Sequence, residues 1–490
     1  MKCFSLTKYP GGRAFLRRFR VASQLAAPLL LFGCTVGPNY VRPPADAPVS
    51  YKELGDWKPV QPSDQLGKGA WWGVYEDPQL NALEAQIEVS NFNLKAQQER
   101  FEQARAAIRI SKSNYYPEIT GGASVTQNHV SSNSPLFKTG ASKTNYSDYS
   151  ISIDASWEPD LWGRVRRTVE ASRSEAQATA ADVANVSLSL HAELAMDYFQ
   201  LRGLDAQEDL LQSTVVAYEK ALELTQNRYK AGLASAVDVA QAETQLRTTR
   251  AQAIDVGVNR ASFEHAIAVL IGKSPAQFSL PSSPLRAVPP AIPPGLPSDL
   301  LERRPDIAAS ERRMQESNAQ IGVAKSAYYP LVTLNGSGGF ESGVFTTLIQ
   351  GPSGLWSVGA NASEYIFDAG RRHAVTEQAQ SAYRQSIDTY RQTVLSAFQE
   401  VEDNLAALRI LNDEEVVQQA AVASAEHSLA LSINRYKGGI VNYLEVITAQ
   451  NAALADEVTE VSIRTRRMQA SVLLVKAIGG GWNVSQIPRV

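Results

Sequence analysis

The sequence predicts a mainly α-helical protein with a small membrane β-region, built from two copies of one structural unit. The segment Asn227–Leu233 (NRYKAGL) returns as Asn434–Ile440 (NRYKGGI), a shift of 207 residues (434 − 227). Two long proline-free runs place apolar residues three or four positions apart, and two pairs of shorter segments are predicted to be strands because one of them strictly alternates apolar and polar residues. The shift is far longer than the repeat of a solenoid protein, so we interpret the copies as two halves of one domain.

Charge and cysteine content exclude several classes of function. The chain carries 47 Lys and Arg and 50 Asp and Glu residues. Six of the basic residues and none of the acidic ones lie in the first 33 positions, so their removal leaves a net charge of −9 (41 − 50). Such a chain has no basic stripe to neutralise the phosphates of a nucleic acid. The two cysteines, Cys3 and Cys34, provide neither a disulfide framework nor a cysteine metal site.

An export signal and a lipid-attachment site are predicted at the N-terminus. Residues 1–33 have the basic start and the short apolar run of a signal peptide, and the run is shorter than the ~20 residues of a membrane-spanning helix. Leu31–Cys34 (LFGC) is interpreted as a lipobox in which Cys34 is acylated and becomes the first mature residue. The alternative is an unmodified, buried cysteine. The proline-rich residues 34–70 are predicted to be an extended tether.

Two segments of the first structural unit, residues 71–273, are predicted to be membrane strands. Tyr149–Trp157 strictly alternates apolar and polar residues, and Ile119–Asn128, which follows a helical region that ends at Pro117, is predicted to pair with it across the loop at 131–145. Each segment is about ten residues long, the length that a tilted strand needs to cross a bilayer. The alternative is a soluble hairpin whose aromatic residues belong to a core.

A long helical hairpin is predicted to complete this unit. The apolar stripe from Arg164 to about Tyr229 predicts a rod of roughly 100 Å, because an α-helix rises ~1.5 Å per residue. Gly232 suits a left-handed helix end, and a return helix to about Ile271 is expected to pack against the rod as in a coiled coil.

The second unit, residues 298–480, is predicted to repeat this order. A proline-rich linker at 274–297 precedes it, and a C-terminal tail at 481–490 follows it. Its predicted strands are Leu331–Phe340 and Trp356–Phe367. The upstream Tyr-Tyr-Pro sites of the two copies are 213 residues apart, so six residues must be missing between that site and the helical rod of the second copy.

The sequence predicts no enzyme, and it predicts no cofactor or metal. The five histidines are scattered and lack the spacing of a metal site such as HExxH. There is no GxSxG motif, no Walker loop and no Rossmann fingerprint.

Motifs along nearly all of the mature chain resemble those of one family. They are Cys34–Tyr40 (CTVGPNY), Trp71-Trp72 with Asp77-Pro78, both Tyr-Tyr-Pro sites, both Arg-Tyr-Lys-x-Gly turns and, most specifically, Leu296–Ile307 (LPSDLLERRPDI). The chain resembles the bacterial outer-membrane efflux channels, the TolC/OprM-like outer-membrane factors, and especially the NodT-type lipoproteins of RND tripartite pumps. The resemblance implies a homotrimer whose 12-stranded outer-membrane β-barrel continues into a long periplasmic α-helical coiled-coil barrel.

Simple geometry also favours three subunits. Four strands cannot close into a barrel, and lipid does not tolerate unpaired strand edges. Two chains would give about eight strands, a barrel that its own side chains fill, whereas three give about twelve and leave a lumen.

The resemblance also implies a function. The chain is expected to be a passive outer-membrane exit duct for small molecules, drugs or toxic compounds, which an inner-membrane RND-type pump delivers through a periplasmic adaptor protein. We expect it to be lipid-anchored in the cell outer membrane, with a long periplasmic extension. Two alternatives are a coiled-coil lipoprotein that tethers the membrane without transport and a lipid-anchored hydrolase. The four amphipathic strands disfavour the tether, and the lack of a nucleophile motif disfavours the hydrolase.

The resemblance places the functional residues at the tips of the helical hairpins. Gly439–Gln450 matches the tip of the family, which implies a periplasmic gate formed by Tyr443, Leu444, Glu445, Thr448 and Asn451. Leu444 matches a hydrophobic constriction, and the alternative is that it only packs between helices. The family often has Asp at the position of Thr448 and Arg at that of Asn451. The residues implied to contact the adaptor are Arg228, Tyr229, Lys230, Gly232, Arg435, Tyr436, Lys437 and Gly439.

Overall fold

The structure, a computed structural model, describes residues 35–44, 48–54, 70–131, 145–292, 295 and 297–490. The predicted signal peptide and the predicted lipid-attachment site at Cys34 lie outside the described residues.

The first half of the chain has the predicted order of helices, strand pair and helical hairpin. Its elements are α1 (Pro78–Ser90), α2 (Phe92–Ser113), β1 (Glu118–His129), β2 (Asn145–Trp157), α3 (Arg164–Lys230) and α4 (Ala236–Leu270). Asp77 caps α1, because its side chain accepts hydrogen bonds from the backbone N–H groups of Gln79 and Leu80.

The second half repeats the first. Its elements are α5 (Leu300–Arg303), α6 (Pro305–Ser326), β3 (Leu331–Ser342), β4 (Gly354–Ser363), α7 (Arg371–Lys437) and α8 (Tyr443–Ala477). Helices α3 and α7 both have 67 residues, and the return helices α4 and α8 both have 35. The missing six residues therefore lie between β3 and α7, within the predicted interval.

The four strands form one antiparallel sheet in the order β1-β2-β3-β4. Gly339 permits a close approach of β3 to β2, because a Cβ at this position would overlap the carbonyl oxygen of Ile151. Within the described residues, β1 and β4 each have one edge without a partner strand.

The predicted end of the last strand is wrong, since β4 ends at Ser363 and not at Phe367. The strand ends there because the residues that follow it cap the N-terminus of α7. Asp368 accepts hydrogen bonds from the backbone N–H groups of Gly370 and Arg372, and the Arg372 side chain binds Asp368 and the carbonyl oxygen of Tyr365.

The long helices pack side by side in the order α4-α3-α8-α7, with α2 against α3 and α6 against α3 and α7. A buried cluster that includes Trp71, Phe199, Tyr390 and Val472 joins the two halves. Where α3 crosses α8, Gly203 lies against Thr465 so closely that a Cβ on Gly203 would overlap the threonine hydroxyl. Helices α4 and α7 form the two edges of this layer.

The LPSDLLERRPDI motif has a structural role at the end of α8. Arg304 is buried and donates hydrogen bonds to the carbonyl oxygen of Ala477 and to the carboxylates of Glu400 and Asp306. It therefore fastens the end of α8 to α7. A Cβ on Gly479, which has a φ of +94°, would overlap the carbonyl oxygen of Arg303, so this junction requires glycine.

Candidate functional site at the hairpin tips

The two hairpin turns have the same backbone. Gly232 and Gly439 both have a φ of +73°, the left-handed conformation predicted for them. The N–H of Leu233 donates to the carbonyl oxygen of Arg228 at 2.8 Å, and the N–H of Ile440 donates to that of Arg435 at 3.0 Å. Each turn thus ends its long helix in the same way.

Arg228 joins the two tips of one chain. Its Nη1 donates to the carbonyl oxygen of Lys437 at 2.8 Å, and its guanidinium lies 4.9 Å from the centre of the Tyr436 ring. Tyr436 is buried and meets Tyr443 edge-on, with ring centres 5.2 Å apart. The second tip therefore has an aromatic pair beneath a cation–π contact from the first tip.

The shift of 207 residues relates Arg228 to Arg435 and Tyr229 to Tyr436, and the members of each pair have different surroundings. Arg435 pairs with Glu445 of its own hairpin, with 2.7 Å between Nη1 and Oε1. Tyr229 leaves 51% of its surface exposed, against 4% for Tyr436. Lys230 and Lys437 are both exposed at the end of their helices.

The five predicted gate residues lie on two faces of α8. Tyr443 points into the hairpin, where burial raises the pKa of its phenol to about 12 while a hydrogen bond with Gln450 lowers it. Leu444 is 53% exposed. Thr448 is exposed and donates from its hydroxyl to the carbonyl oxygen of Leu444 at 3.0 Å. The face outside the hairpin thus presents an apolar side chain one turn away from a hydroxyl.

Asn451, the last of the predicted gate residues, is hydrogen-bonded to the first hairpin. Its Oδ1 accepts a hydrogen bond from Nε2 of Gln245 at 2.7 Å. Nearby, the Tyr218 hydroxyl donates to the carbonyl oxygen of Gln450 at 3.3 Å. Sequence reasoning missed Gln245 and Tyr218, because no local signal pairs residues more than 200 positions apart.

A capping box at the first tip was also missed, although a sequence signal for it exists. The Ser235 side chain accepts from the N–H of Asp238, and the Asp238 carboxylate accepts from the N–H of Ser235. The pattern Ser-x-x-Asp at the start of a helix favours this arrangement. It keeps the acidic side chain of the first tip on its own helix.

The opposite end of the helices lies beside the described start of the chain. The N–H of Val36 donates to the carbonyl oxygen of Trp162 at 3.1 Å, and Thr35 packs against Gly163. Arg167 is buried, and its guanidinium donates to the carbonyl oxygens of Val36 and Gly37 and to the side chain of Asn39. These contacts hold residue 35 where β2 meets α3.

Far from the tips, α3 and α1 share a group of titratable residues in which His191 and Glu84 are buried and Glu88 is exposed. His191 contacts Glu84 at 2.6 Å and Glu88 at 3.2 Å, and Trp72 stacks on its ring. Burial raises the pKa of Glu84 to about 7, although the hydrogen bond with His191 acts against this rise. Burial lowers the pKa of His191, but its hydrogen bonds to both carboxylates outweigh that effect and raise it overall.

Within the described residues, metal-ligating side chains do not cluster into a metal site. No three His, Cys, Asp or Glu side chains among them are placed to hold a metal ion. Within the same residues, no helix combines the length and the apolar character that crossing a membrane requires.

Comparison with known proteins gives a consistent result. The family model described as outer membrane efflux protein matches residues 83–273 and 296–480. The chain is 32% identical over 476 residues to the toluene efflux pump outer membrane protein TtgF of Pseudomonas putida, covering 95% of this chain and 98% of the relative. It is 29% identical over 457 residues to the cation efflux system protein CusC of Escherichia coli, covering 93% and 97%. The solved outer-membrane channel OprN superposes with a TM-score of 0.83 at 29% identity, covering 92% of this chain and 100% of that one.

Proposed function

This chain belongs to the outer membrane efflux protein family, and we propose that three copies of it form the outer-membrane exit duct of a tripartite efflux system. The duct conducts small molecules passively to the exterior, and an inner-membrane pump and a periplasmic adaptor supply them. The observation that carries the trimer concerns the described part of the chain, where the sheet and the layer of long helices both end in edges without a neighbouring strand or long helix. A neighbouring copy offers the complementary edge to each.

The internal duplication supports this closure at residue level. The shift of 207 residues relates Gly203 to Ile410 and Thr465 to Val258. The crossing of α3 and α8 within one chain therefore has a counterpart between α7 of one subunit and α4 of the next. Ile410 and Val258 are 53% and 64% exposed in the single chain, as expected for apolar residues that a neighbour covers.

Closure of the sheet by the same neighbour supports a barrel of twelve strands. The free edge of β4 would pair with the free edge of β1 in the next subunit, which removes the edges that lipid does not tolerate. The exposed apolar strand residues Ile119, Ile153, Trp356 and Val358 are suited to lipid contact.

We also propose that Cys34 is the acylated N-terminus of the mature protein, after removal of a signal peptide at 1–33. Support comes from Thr35, the first described residue, which packs against Gly163 between β2 and α3. A lipid on Cys34 would then enter the bilayer beside the barrel.

The proposed division of the mature chain has five parts. Residues 34–70 are the tether, 71–273 and 298–480 are the two structural units on either side of the linker at 274–297, and 481–490 are the C-terminal tail.

For the periplasmic end, we propose a gate at the second hairpin and an adaptor contact at both tips. Leu444 from three subunits would form a narrow apolar ring, which excludes ions because water leaves it. The exposed side chains of Lys230, Lys437 and Ile440 are available to an adaptor. No catalytic role is proposed for any residue.

Cargo selection is assigned to the pump rather than to the duct. The names of the relatives include toluene and cations, two chemically different cargoes, at similar identity to this chain. We therefore propose that this chain is the exit for small toxic compounds and drugs and that an RND-type pump chooses among them.

Single-channel recording in a planar lipid bilayer tests the function. We expect purified protein to give discrete conductance steps, and Leu444→Ser to raise the resting conductance because a hydroxyl lets water and ions into the constriction. Leu431→Ser is the matched control, since Leu431 is 51% exposed on α7 and lies outside the second turn. If neither the wild type nor Leu444→Ser conducts ions after verified insertion into the bilayer, the proposed duct function is wrong. If both leucine variants behave like the wild type in an intact channel, the gate lies elsewhere.

A further inference from the structure

The two hairpin tips share the sequence Asn-Arg-Tyr-Lys but use the arginine differently. Arg228 crosses to the other tip and binds Tyr436 and the carbonyl oxygen of Lys437. Arg435 turns back to Glu445 of its own hairpin. A difference at equivalent positions needs a physical reason, and the trimer supplies one.

We propose that Arg435 binds the first tip of the neighbouring subunit, where it lies over the ring of Tyr229 and donates to the carbonyl oxygen of Lys230, and that Glu445 competes for it. The inference rests on the trimer of the proposed function. Its consequence is that the tips of one chain stay joined through Arg228, whereas tips of different chains can separate.

The first argument comes from the repeat. Three subunits with two hairpins each form a ring of six hairpins. In this ring, the second hairpin of a chain lies beside the first in the same way as the first hairpin of the next chain lies beside the second. The shift of 207 residues turns the observed contact of Arg228 with Tyr436 and Lys437 into a contact of Arg435 with Tyr229 and Lys230.

The second argument is that the receiving surface on the first tip is open. Tyr229 is 51% exposed, whereas Tyr436, which Arg228 covers, is 4% exposed. A Cβ built on Gly439 would lie 3.7 Å from Nη2 of Arg228, while one on Gly232 would meet no described atom within 4 Å. The space that a guanidinium occupies at the second tip is therefore free at the first.

The third argument is that only Arg435 has an acidic competitor within its own hairpin. The residue equivalent to Glu445 is Asp238, whose carboxylate is engaged in the capping box with Ser235. The residue equivalent to Ser235 is Asn442, and in the described structure its side chain accepts no capping hydrogen bond. Glu445 is also one methylene longer than Asp238, so it reaches Arg435. The Arg435–Glu445 pair is half exposed, and water weakens such a pair enough for a neighbour to compete with it.

Cross-linking between subunits tests this proposal without altering the arginines. Cysteines replace Asn434 and Ala231, which flank the proposed contact, and a short bismaleimide is added to the trimer in detergent. The matched pair replaces Asn227 and Gly438, which are the equivalent positions around the observed contact. We expect Asn434→Cys with Ala231→Cys to give bands of two and three chains on a denaturing gel. Asn227→Cys with Gly438→Cys should link within one chain, which mass spectrometry of the linked peptides detects.

Substitution of the competitor gives the decisive result. In the Asn434→Cys, Ala231→Cys background, Glu445→Gln should raise the yield of linked chains several-fold because Arg435 is released to the neighbour, and Arg435→Ala should lower it. A lower yield with Glu445→Gln would overturn the competition. Absence of linked chains in a trimer verified by light scattering would overturn the contact while leaving the trimer intact. A monomer in light scattering would instead contradict the proposed assembly itself.

Discussion

The proposed subunit seam can be tested at Ile410, the apolar residue on the edge helix α7 that the repeat relates to Gly203. We expect Ile410→Asp to weaken the trimer, because it places a carboxylate where α7 should meet Val258 on α4 of the next subunit. Val216→Asp is the control. Val216 is 49% exposed on α3, and both neighbours of α3 in the helical layer belong to the same chain.

The size of the effect follows from the exposure of Ile410. Its side chain is about half exposed in the single chain, so the neighbour contributes roughly half of the ~1.5–3 kcal/mol that full burial of an isoleucine provides. A carboxylate that is buried without a partner adds a penalty of ~1–3 kcal/mol. The sum is about 2–4 kcal/mol for each seam and about 6–12 kcal/mol for the three seams of a trimer.

Light scattering of the detergent-solubilised protein, with stepwise heating, measures this effect. Ile410→Asp should dissociate at a markedly lower temperature than the wild type, and Val216→Asp should dissociate close to it. Adding Val258→Lys to Ile410→Asp should restore part of the loss, since the two side chains would form an ion pair across the seam. Equal dissociation temperatures for Ile410→Asp and Val216→Asp would refute the assignment of this seam.

Three further outcomes are expected. Mass spectrometry of the mature N-terminus should find an acylated Cys34; an unmodified Cys34, or cleavage at another position, contradicts the lipobox, and Cys34→Ala should impair maturation more than insertion. Thr448→Asp should make conductance sensitive to divalent cations by adding a ring of three carboxylates, and unchanged conductance with added Mg²⁺ would place Thr448 away from the pore. Thermal stability should fall as the pH rises from about 4.5 to 7, because burial raises the pKa of Glu84 to about 7 and the folded protein then binds a proton that the unfolded chain has released. Glu84→Gln should flatten that dependence, and an unchanged slope would assign it to other groups.

The sequence predicted the elements whose signals are local. The rods α3 and α7 follow from apolar residues at helical spacing, and their turns follow from Gly232 and Gly439. Strand β4 was drawn too long because Tyr365 and Phe367 continue the apolar pattern, whereas Asp368 and Arg372 hold that segment at the start of a helix. Periodicity does not report which residue a distant side chain binds.

Contacts between distant segments were accordingly the part that sequence reasoning missed. Nothing local pairs Arg228 with Lys437, or His191 with Glu84, which lies 107 residues away. Conversely, the family motif around Arg304 was a strong signal of membership, and its observed contacts fasten two helices rather than line a site.

In the proposed trimer, some neighbouring hairpins belong to one chain and others belong to two different chains. We attribute the differences between the two copies to this distinction. Hairpins of one chain are linked covalently, so their crossing needs little affinity and can use the close, small pair Gly203 and Thr465. Hairpins of different chains must supply their own binding energy, and the equivalent positions are the large apolar residues Ile410 and Val258. At the tips, the stronger contact is instead the one within the chain. Arg228 binds the second tip of its own chain, whereas Arg435, for which Glu445 competes, lies at the proposed boundary between chains. In the proposed trimer, the ring would therefore be held along its middle by apolar seams, and we expect it to open first at its periplasmic end, between subunits.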